Sequence, residues 1–120
     1  MIAAELIPLV ARRFKALGEP MRLALLSALQ NGERSVSDLA ETTRRGQPNV
    51  SQHLKELVHA GLIASRRDGN HVYYAIVDRH VMRICDAVCR SVGEANATVG
   101  PRRPVRRFPA AARSGGRRVY

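Results

Sequence analysis

The chain has 120 residues, a length that suits one hydrophobic core and excludes two domains of ordinary size. Its net charge is +10 and uneven, because residues 101–120 hold seven arginines and no acid, whereas residues 1–100 hold 13 basic and 10 acidic residues. No apolar run approaches the roughly 20 residues of a membrane-spanning helix, so we expect a cytoplasmic protein with no membrane partner. The two cysteines of such a chain are expected to be reduced.

The first two predicted helices provide a scaffold. Apolar residues recur with helical spacing from Leu6 to Leu17, where Gly18-Glu19-Pro20 turns the chain. A second helix is predicted over Met21–Leu29, and Asn31-Gly32 ends it. Neither helix carries a reactive group with a suitable partner, so both are interpreted as core.

The next two predicted helices are joined by a tight turn. Ser35 and Asp38 form an S-x-x-D capping signal for a helix that ends at Thr43. Pro48 suits the first turn of the following helix, and Gly61 is expected to end it. Apolar residues of this helix form a stripe that we expect to be buried: Val50, Leu54, Leu57 and Val58.

The opposite face of the same helix carries polar side chains. Amide, hydroxyl, imidazole and ammonium groups bind base edges and phosphates when a helix lies in the major groove of DNA. Asn49, Gln52, Lys55 and His59 lie on this face, and Gln47, Ser51 and His53 lie on its flanks. The candidate DNA-binding residues among them are Gln47, Asn49, Ser51, Gln52, His53 and Lys55.

Two β-prone runs follow, residues 62–67 and 71–76, and Asp68-Gly69-Asn70 joins them as a hairpin turn. A hairpin directly after a DNA-binding helix is typical of a wing, whose basic side chains contact a flanking phosphate or the minor groove. The candidate residues of the wing are Arg66, Arg67 and His71.

The last predicted helix runs from about Arg79 to Ala95. One side of it is an apolar stripe at i, i+3, i+4, i+7 and i+11, formed by Val81, Ile84, Cys85, Val88 and Val92. Because such a stripe needs a partner, we expect the first and last helices to pair across a two-fold axis and form a homodimer.

In this order and spacing the motifs resemble the ArsR-type winged helix-turn-helix family of bacterial metal- and thiol-responsive repressors. The resemblance covers roughly residues 5–95, in the segments FKALGEPMRL (14–23), VSDLA (36–40), VSQHLK (50–55), AGLI (60–63) and RRDGNHVYY (66–74). It implies a mainly α fold of about five helices with a two-stranded wing. It also implies dimerisation through the first and last helices, and repression at a pseudo-palindromic operator in double-stranded DNA.

Domain organisation follows from composition. Residues 1–95 are expected to form the winged helix-turn-helix domain with its dimerisation helices. Residues 96–120 are expected to be a basic, disordered tail, because three prolines and paired glycines in its last 20 residues leave little to bury. The tail is interpreted either as a non-specific DNA-binding arm or as a solubilising segment.

Cys85 and Cys89 are the candidate sensing residues, because they lie at i and i+4 on one helix face. A disulfide between them is disfavoured, since Cβ atoms at this spacing are ~5–6 Å apart and a disulfide needs ~3.5–4.5 Å. A bridging thiophilic metal or metalloid ion, a multi-sulfur link or a disulfide between protomers stays open. The alternative is plain packing, because free cysteine is often buried. No cofactor is certain.

A weaker metal site overlaps this helix. Zinc-sensing members of the family carry Asp-x-His, ten residues, then His-x-x-Glu or His; here Asp78, His80 and Glu94 match, but Ser91 replaces a histidine. A hydroxyl is a poor zinc ligand, and Asp78 and His80 also suit a helix cap. The arsenic motif is absent, because serines stand at both of its cysteine positions, Ser35 and Ser37.

The sequence bears on several classes of function. No Gly-rich phosphate loop, nucleophile elbow or cluster of acids with an orienting base is present, so we do not expect an enzyme. A repressor released by a thiophilic effector at the cysteine pair explains the helices, wing and cysteines together. The alternatives are a winged-helix regulator without an effector site and a non-specific architectural nucleic-acid binder.

Overall fold

The computed structural model describes residues 1–98. After a 3₁₀ turn at Ala4–Leu6, the elements are α1 (Ile7–Leu17), α2 (Pro20–Leu29), β1 (Arg34–Ser35), α3 (Val36–Thr43), α4 (Gln47–His59), β2 (Ile63–Asp68), β3 (His71–Ile76) and α5 (Val81–Thr98). The five helices and the hairpin expected from the sequence are all present. Helix α5 continues past Ala95, so residues 96–98 of the expected tail are helical, and residues 99–120 lie outside the described part.

We call residues 20–76, from α2 to β3, the central unit, and α1 and α5 the terminal helices. The core of the central unit is formed by side chains from each of its helices and from β2. Its most completely buried members are Leu25, Leu26, Leu29, Leu39, Val50, Leu54, Leu57, Leu62 and Ile63. Val81 of α5 also enters this core.

The predicted burial of Val58 is wrong, since this side chain is 36% exposed. At about 100° per residue, Val58 lies about 80° around the helix axis from Val50, at the edge of the stripe. Leu54 and Leu57 lie within about 40° of Val50 and are fully buried. The apolar stripe of α4 is therefore narrower than the sequence spacing suggests.

The expected ends of α3 and α4 are confirmed. The Ser35 hydroxyl accepts a hydrogen bond of 3.1 Å from the Asp38 backbone N–H at the start of α3. Arg44 ends α3 in the left-handed conformation, at φ 61°. At the end of α4, Gly61 has φ 79°, and the N–H of Leu62 donates to the Leu57 carbonyl. These bonds satisfy backbone groups at the helix ends and fix the turns around α4.

The sheet has three strands instead of the predicted two. Its order is β1-β3-β2, and all pairs are antiparallel. In the added strand, Ser35 lies opposite Tyr73, while across the hairpin Arg66 also lies opposite Tyr73. A two-residue strand has too little alternation to be recognised in the sequence. The wing is thereby joined to the residue that caps α3.

The terminal helices leave apolar side chains uncovered within the chain. On α1 and the turn before it, Leu6, Ile7, Leu9 and Phe14 are exposed. The predicted stripe of α5 divides, because Val81 and Cys85 are buried whereas Ile84, Val88 and Val92 are exposed. No helix in residues 1–98 is long and apolar enough to cross a membrane.

Candidate functional site

The outer face of α4 carries exposed polar side chains, among them Asn49, Gln52, Lys55 and His59. Within residues 1–98 these side chains make no hydrogen bond or ion pair. Gln52 lies about 160° around the axis from the buried Val50, so it points away from the core. The groups that this face presents to an external ligand include two amides, an ammonium and an imidazole.

Gln47 and Ser51 lie beside this face. The Gln47 amide donates a 3.3 Å hydrogen bond to the Ser37 hydroxyl, which joins the start of α4 to the first turn of α3. Ser51 is half-buried. Gln47 thus has an intramolecular partner that the sequence pattern did not indicate, although its side chain is exposed.

His53 lies against the scaffold and not on the outer face. Its side chain is 21% exposed, and its Nδ1 lies 3.8 Å from Glu19 Oε1. The same Oε1 accepts a 3.1 Å hydrogen bond from the Arg22 backbone N–H and so caps α2. His53 is about 60° around the helix axis from Val50, which explains its partial burial. His53 thus lies where α4 packs against the start of α2.

The two arginines of the wing have different surroundings. Arg66 donates to the Glu33 carboxylate from Nε at 2.6 Å and from Nη2 at 2.9 Å, and its guanidinium lies 4.7 Å from the centre of the Tyr73 ring. This hydrogen-bonded pair lowers the pKa of Glu33 and raises that of Arg66. Arg67 is exposed and has no ion pair or hydrogen-bonded side-chain partner in residues 1–98.

His71 begins β3 at the tip of the wing and is exposed. It lies opposite Asp68 in the hairpin, and its ring is 6.2 Å from the Tyr73 ring. The tip therefore combines an imidazole with the unpaired guanidinium of Arg67.

Cys85 and Cys89 lie on α5, and neither forms a disulfide. Cys85 is buried and Cys89 is half-buried. Burial raises the pKa of the Cys85 thiol, and the charges of Asp86 and Cys89 raise it further. At neutral pH Cys85 is therefore a neutral thiol, and a metal ion must displace its proton to bind.

Asp78 has two partners at the start of α5. Its Oδ1 accepts a 2.7 Å hydrogen bond from the His80 backbone N–H, and its Oδ2 forms an ion pair with Arg13 of α1. The hydrogen bond from the His80 backbone is the largest effect and lowers the pKa of Asp78; burial opposes it, and the charge of Arg13 lowers the pKa further. Arg13 also lies against the turn after α4, because a Cβ added at Gly61 would be 3.4 Å from its Nη2.

The other residues of the weaker metal motif, His80 and Glu94, are exposed. His80 and Ser91 are eleven residues apart, which is roughly 16 Å along a helix, so one chain does not bring the two halves of the motif together. No group of three or more potential metal ligands is present in residues 1–98.

Three charged residues near these sites were not singled out from the sequence: Glu33, Glu19 and Arg13. Each of them lies close to a side chain at least 33 residues away: Glu33 and Arg13 form ion pairs with Arg66 and Asp78, and Glu19 Oε1 lies 3.8 Å from His53 Nδ1. Local periodicity carries no information about such pairs, because it reports only which face of an element is apolar.

The sequence is similar to known bacterial regulatory proteins. Residues 19–65 match a family model described as bacterial regulatory protein, arsR family. The transcriptional repressor SmtB of Mycobacterium tuberculosis is 35% identical over 88 residues, which are 72% of this chain and 65% of the relative. A probable mercury resistance operon repressor of Streptomyces lividans is 42% identical over 71 residues, 59% of this chain and 57% of the relative. Both matches span less than two thirds of the curated relatives' own length.

A solved structure agrees with the sequence relatives. The homodimeric winged helix-turn-helix DNA-binding domain of a possible ArsR-family regulator from Mycobacterium bovis aligns with a TM-score of 0.68 at 33% identity. The alignment covers 84% of this chain and 93% of that domain. The relatives are transcriptional regulators and not enzymes, as the motifs indicated. On its sequence, its five helices and its winged hairpin, the chain belongs to the ArsR family of bacterial regulatory proteins.

Proposed function

We propose that the protein is a transcriptional repressor that binds a pseudo-palindromic operator in double-stranded DNA, in the cytoplasm. The observation that carries the proposal is the outer face of α4, where Asn49, Gln52 and Lys55 are exposed while the opposite side is buried in the core. Amides placed on a rigid helix form bidentate contacts with bases in the major groove, and an ammonium binds phosphate. The relatives named as repressors support this function.

The repressor acts as a homodimer paired through α1 and α5. Exposed apolar side chains on both helices, among them Phe14 and Val88, support this arrangement, as does the homodimeric domain from Mycobacterium bovis. Two copies of α4 related by a two-fold axis suit two half-sites about one turn of DNA apart.

The effector is a thiophilic one, either a soft metal or metalloid ion or a reactive sulfur species or oxidant, and it acts at Cys85 and Cys89. The relative named as a mercury resistance operon repressor supports this class of effector. Two sulfurs at i and i+4 can bind one soft ion at ~2.3 Å each, whereas a direct disulfide between them is strained. The effector releases DNA only by binding the DNA-incompetent dimer more tightly than the DNA-competent one.

The burial of Cys85 in the core cluster favours a second candidate, a winged-helix regulator without an effector site. Asp78, His80 and Glu94 are a third option for sensing, which needs ligands from two protomers. An architectural binder is the remaining alternative, in which the wing and the basic residues bind DNA regardless of sequence.

The test is fluorescence anisotropy with reduced protein and the DNA upstream of its own gene, against a scrambled duplex of the same length. Zn²⁺, Cd²⁺, Hg²⁺, arsenite, peroxide and polysulfide are then added in turn. We expect tighter binding to the upstream DNA and release by at least one thiophilic agent. Equal binding to both duplexes with a steep salt dependence would instead indicate the architectural binder.

The sensing site is tested with a double variant, Cys85→Ser/Cys89→Ser, which we expect to bind the operator and to lose its response. His80→Ala is the matched control, because it removes an exposed candidate ligand of the alternative site. Normal release of the double variant together with loss of response in His80→Ala would place the sensor at the alternative site. No release of wild-type protein by any agent would support the regulator without an effector site.

A further inference from the structure

Arg66 and Arg67 are neighbours in β2 and lie on opposite faces of the wing. Successive side chains of a strand alternate between its two faces, and residues directly opposite in an antiparallel pair share a face. Arg66 lies opposite Tyr73, and Arg67 lies opposite Val72. When the wing lies against DNA, the two guanidinium groups therefore face in different directions.

The polar groups of Arg66 are already used within the chain. Its Nε and Nη2 form a bidentate pair with Glu33, and its Nη1 lies 3.8 Å from Asp68 Oδ2. Its Cζ lies over the Tyr73 ring, 4.7 Å from the ring centre. The charge of Arg66 is thus offset by nearby carboxylates, and its Nε/Nη2 donor edge, which otherwise can bind phosphate, is occupied by Glu33.

Glu33 lies immediately before β1, at the far side of the sheet from Arg66. The path from Arg66 on β2 over Tyr73 on β3 to Glu33 beside β1 spans all three strands. Because β1 leads directly into α3, this chain of contacts holds the wing to the helix-turn-helix.

From these contacts we propose that Arg66 and Glu33 are positioning residues that hold the wing in place for DNA binding. Of the two arginines of β2, only Arg67 then contacts a DNA phosphate. The proposal rests on the proposed DNA-binding function. It separates two adjacent basic residues that the sequence motif does not distinguish.

Four single variants test the proposal by the salt dependence of operator affinity: Arg67→Ala, Arg66→Ala, Arg66→Lys and Glu33→Gln. Arg67→Ala should lower the slope of log affinity against log salt by roughly 0.9 for each lost phosphate contact, or about two units for a dimer with two wings. The other three should leave the slope unchanged and weaken binding about threefold or more, because the wing loses its support.

Glu33→Gln is the decisive variant, since the two roles of Arg66 predict changes of opposite sign. A positioning role predicts weaker binding, because a neutral amide holds the guanidinium less well. A direct phosphate contact by Arg66 predicts tighter binding and a steeper slope, because removing the carboxylate frees the charge. Arg66→Lys agrees with the proposal if it behaves as Arg66→Ala, and overturns it if it keeps wild-type affinity.

A second measurement does not depend on DNA. Amide hydrogen exchange over residues 63–76 should become faster in Arg66→Ala and Glu33→Gln and remain unchanged in Arg67→Ala. If wild-type protein shows no sequence-specific DNA binding while these exchange rates behave as stated, the proposed function fails and the positioning role stands. Unchanged exchange in both Arg66→Ala and Glu33→Gln would overturn the positioning role itself.

Discussion

The central unit and the terminal helices differ in how far the chain covers its own apolar surface. Leu54 of α4 is completely buried, whereas Phe14 of α1 and Val88 of α5 are 55% and 53% exposed. The central unit also has capped helix ends, at Ser35 and at Gly61. One chain is therefore sufficient for the central unit, but the terminal helices are left with apolar surface that a second copy would cover.

The largest expected effect is on the core of the central unit. Leu54→Ala removes a fully buried side chain and should lower the free energy of unfolding by about 2–5 kcal/mol. Urea denaturation at fixed protein concentration measures this change. Val58→Ala is the control four residues further along the same helix, where we expect a loss below about 1 kcal/mol because the side chain is partly exposed. Equal losses in both variants would mean that the two sites do not differ in packing.

The next effect concerns the terminal helices. Val88→Asp places a charge on the exposed apolar face of α5 and should convert the dimer to monomers with their secondary structure intact. Sedimentation equilibrium and circular dichroism measure these two properties. Operator affinity should fall by about 100-fold, because the two half-sites are no longer bound together. Arg90→Ala, on an exposed position of the same helix, should stay dimeric; a dimeric Val88→Asp variant would exclude this face from the interface.

A third prediction distinguishes two roles on α4: sequence discrimination by Gln52 and non-specific attraction to phosphate by Lys55. Gln52→Ala should reduce discrimination between operator and mismatched DNA by about 1–3 kcal/mol, because a bidentate base contact is lost. Lys55→Ala should weaken binding to all sequences alike and lower the salt slope by roughly 0.9 per phosphate contact. Anisotropy titrations on matched and mismatched duplexes at several salt concentrations give both quantities. If neither variant changes them, another face of the protein contacts DNA.

The smallest expected effect is on the pH dependence of stability and concerns Asp78, which lies at the start of α5 and contacts Arg13 of α1. The folded state holds the pKa of Asp78 below its unfolded value, through the His80 backbone N–H first and the Arg13 charge after it. Ionised Asp78 therefore stabilises the fold above the unfolded pKa of about 4, and this contribution is lost as pH falls through the folded pKa. Thermal unfolding between pH 3 and pH 6 should show a weaker decline in Asp78→Asn than in wild type. Parallel declines would mean that Asp78 does not contribute.

The features predictable from sequence are those set by neighbouring residues. The Ser35 cap, the turn at Gly61 and the helix–hairpin order follow from spacings of a few residues, and the structure confirms them. Strand β1 was not predicted, because two residues carry no periodicity and their pairing with β3 spans nearly 40 positions.

The candidate DNA-binding residues show the same limit. Spacing predicted Gln52 on the free face and His53 on its flank, both as candidate DNA contacts, yet His53 lies against Glu19 while Gln52 is exposed. It also put Arg66 and Arg67 in one set, although only Arg66 pairs with Glu33. Charge and position in the sequence identify basic residues, but the partner of each side chain depends on tertiary packing.

Arg13 links the terminal helices to α4, and this link bears on the proposed response to an effector. It belongs to α1, pairs with Asp78 at the start of α5 and lies against the turn that ends α4. A displacement of α1 relative to α5 therefore changes a contact at the end of α4, the helix proposed to bind DNA. Thermodynamic linkage makes such coupling reciprocal: whatever free energy an effector on the terminal helices removes from DNA binding, bound DNA removes equally from effector binding.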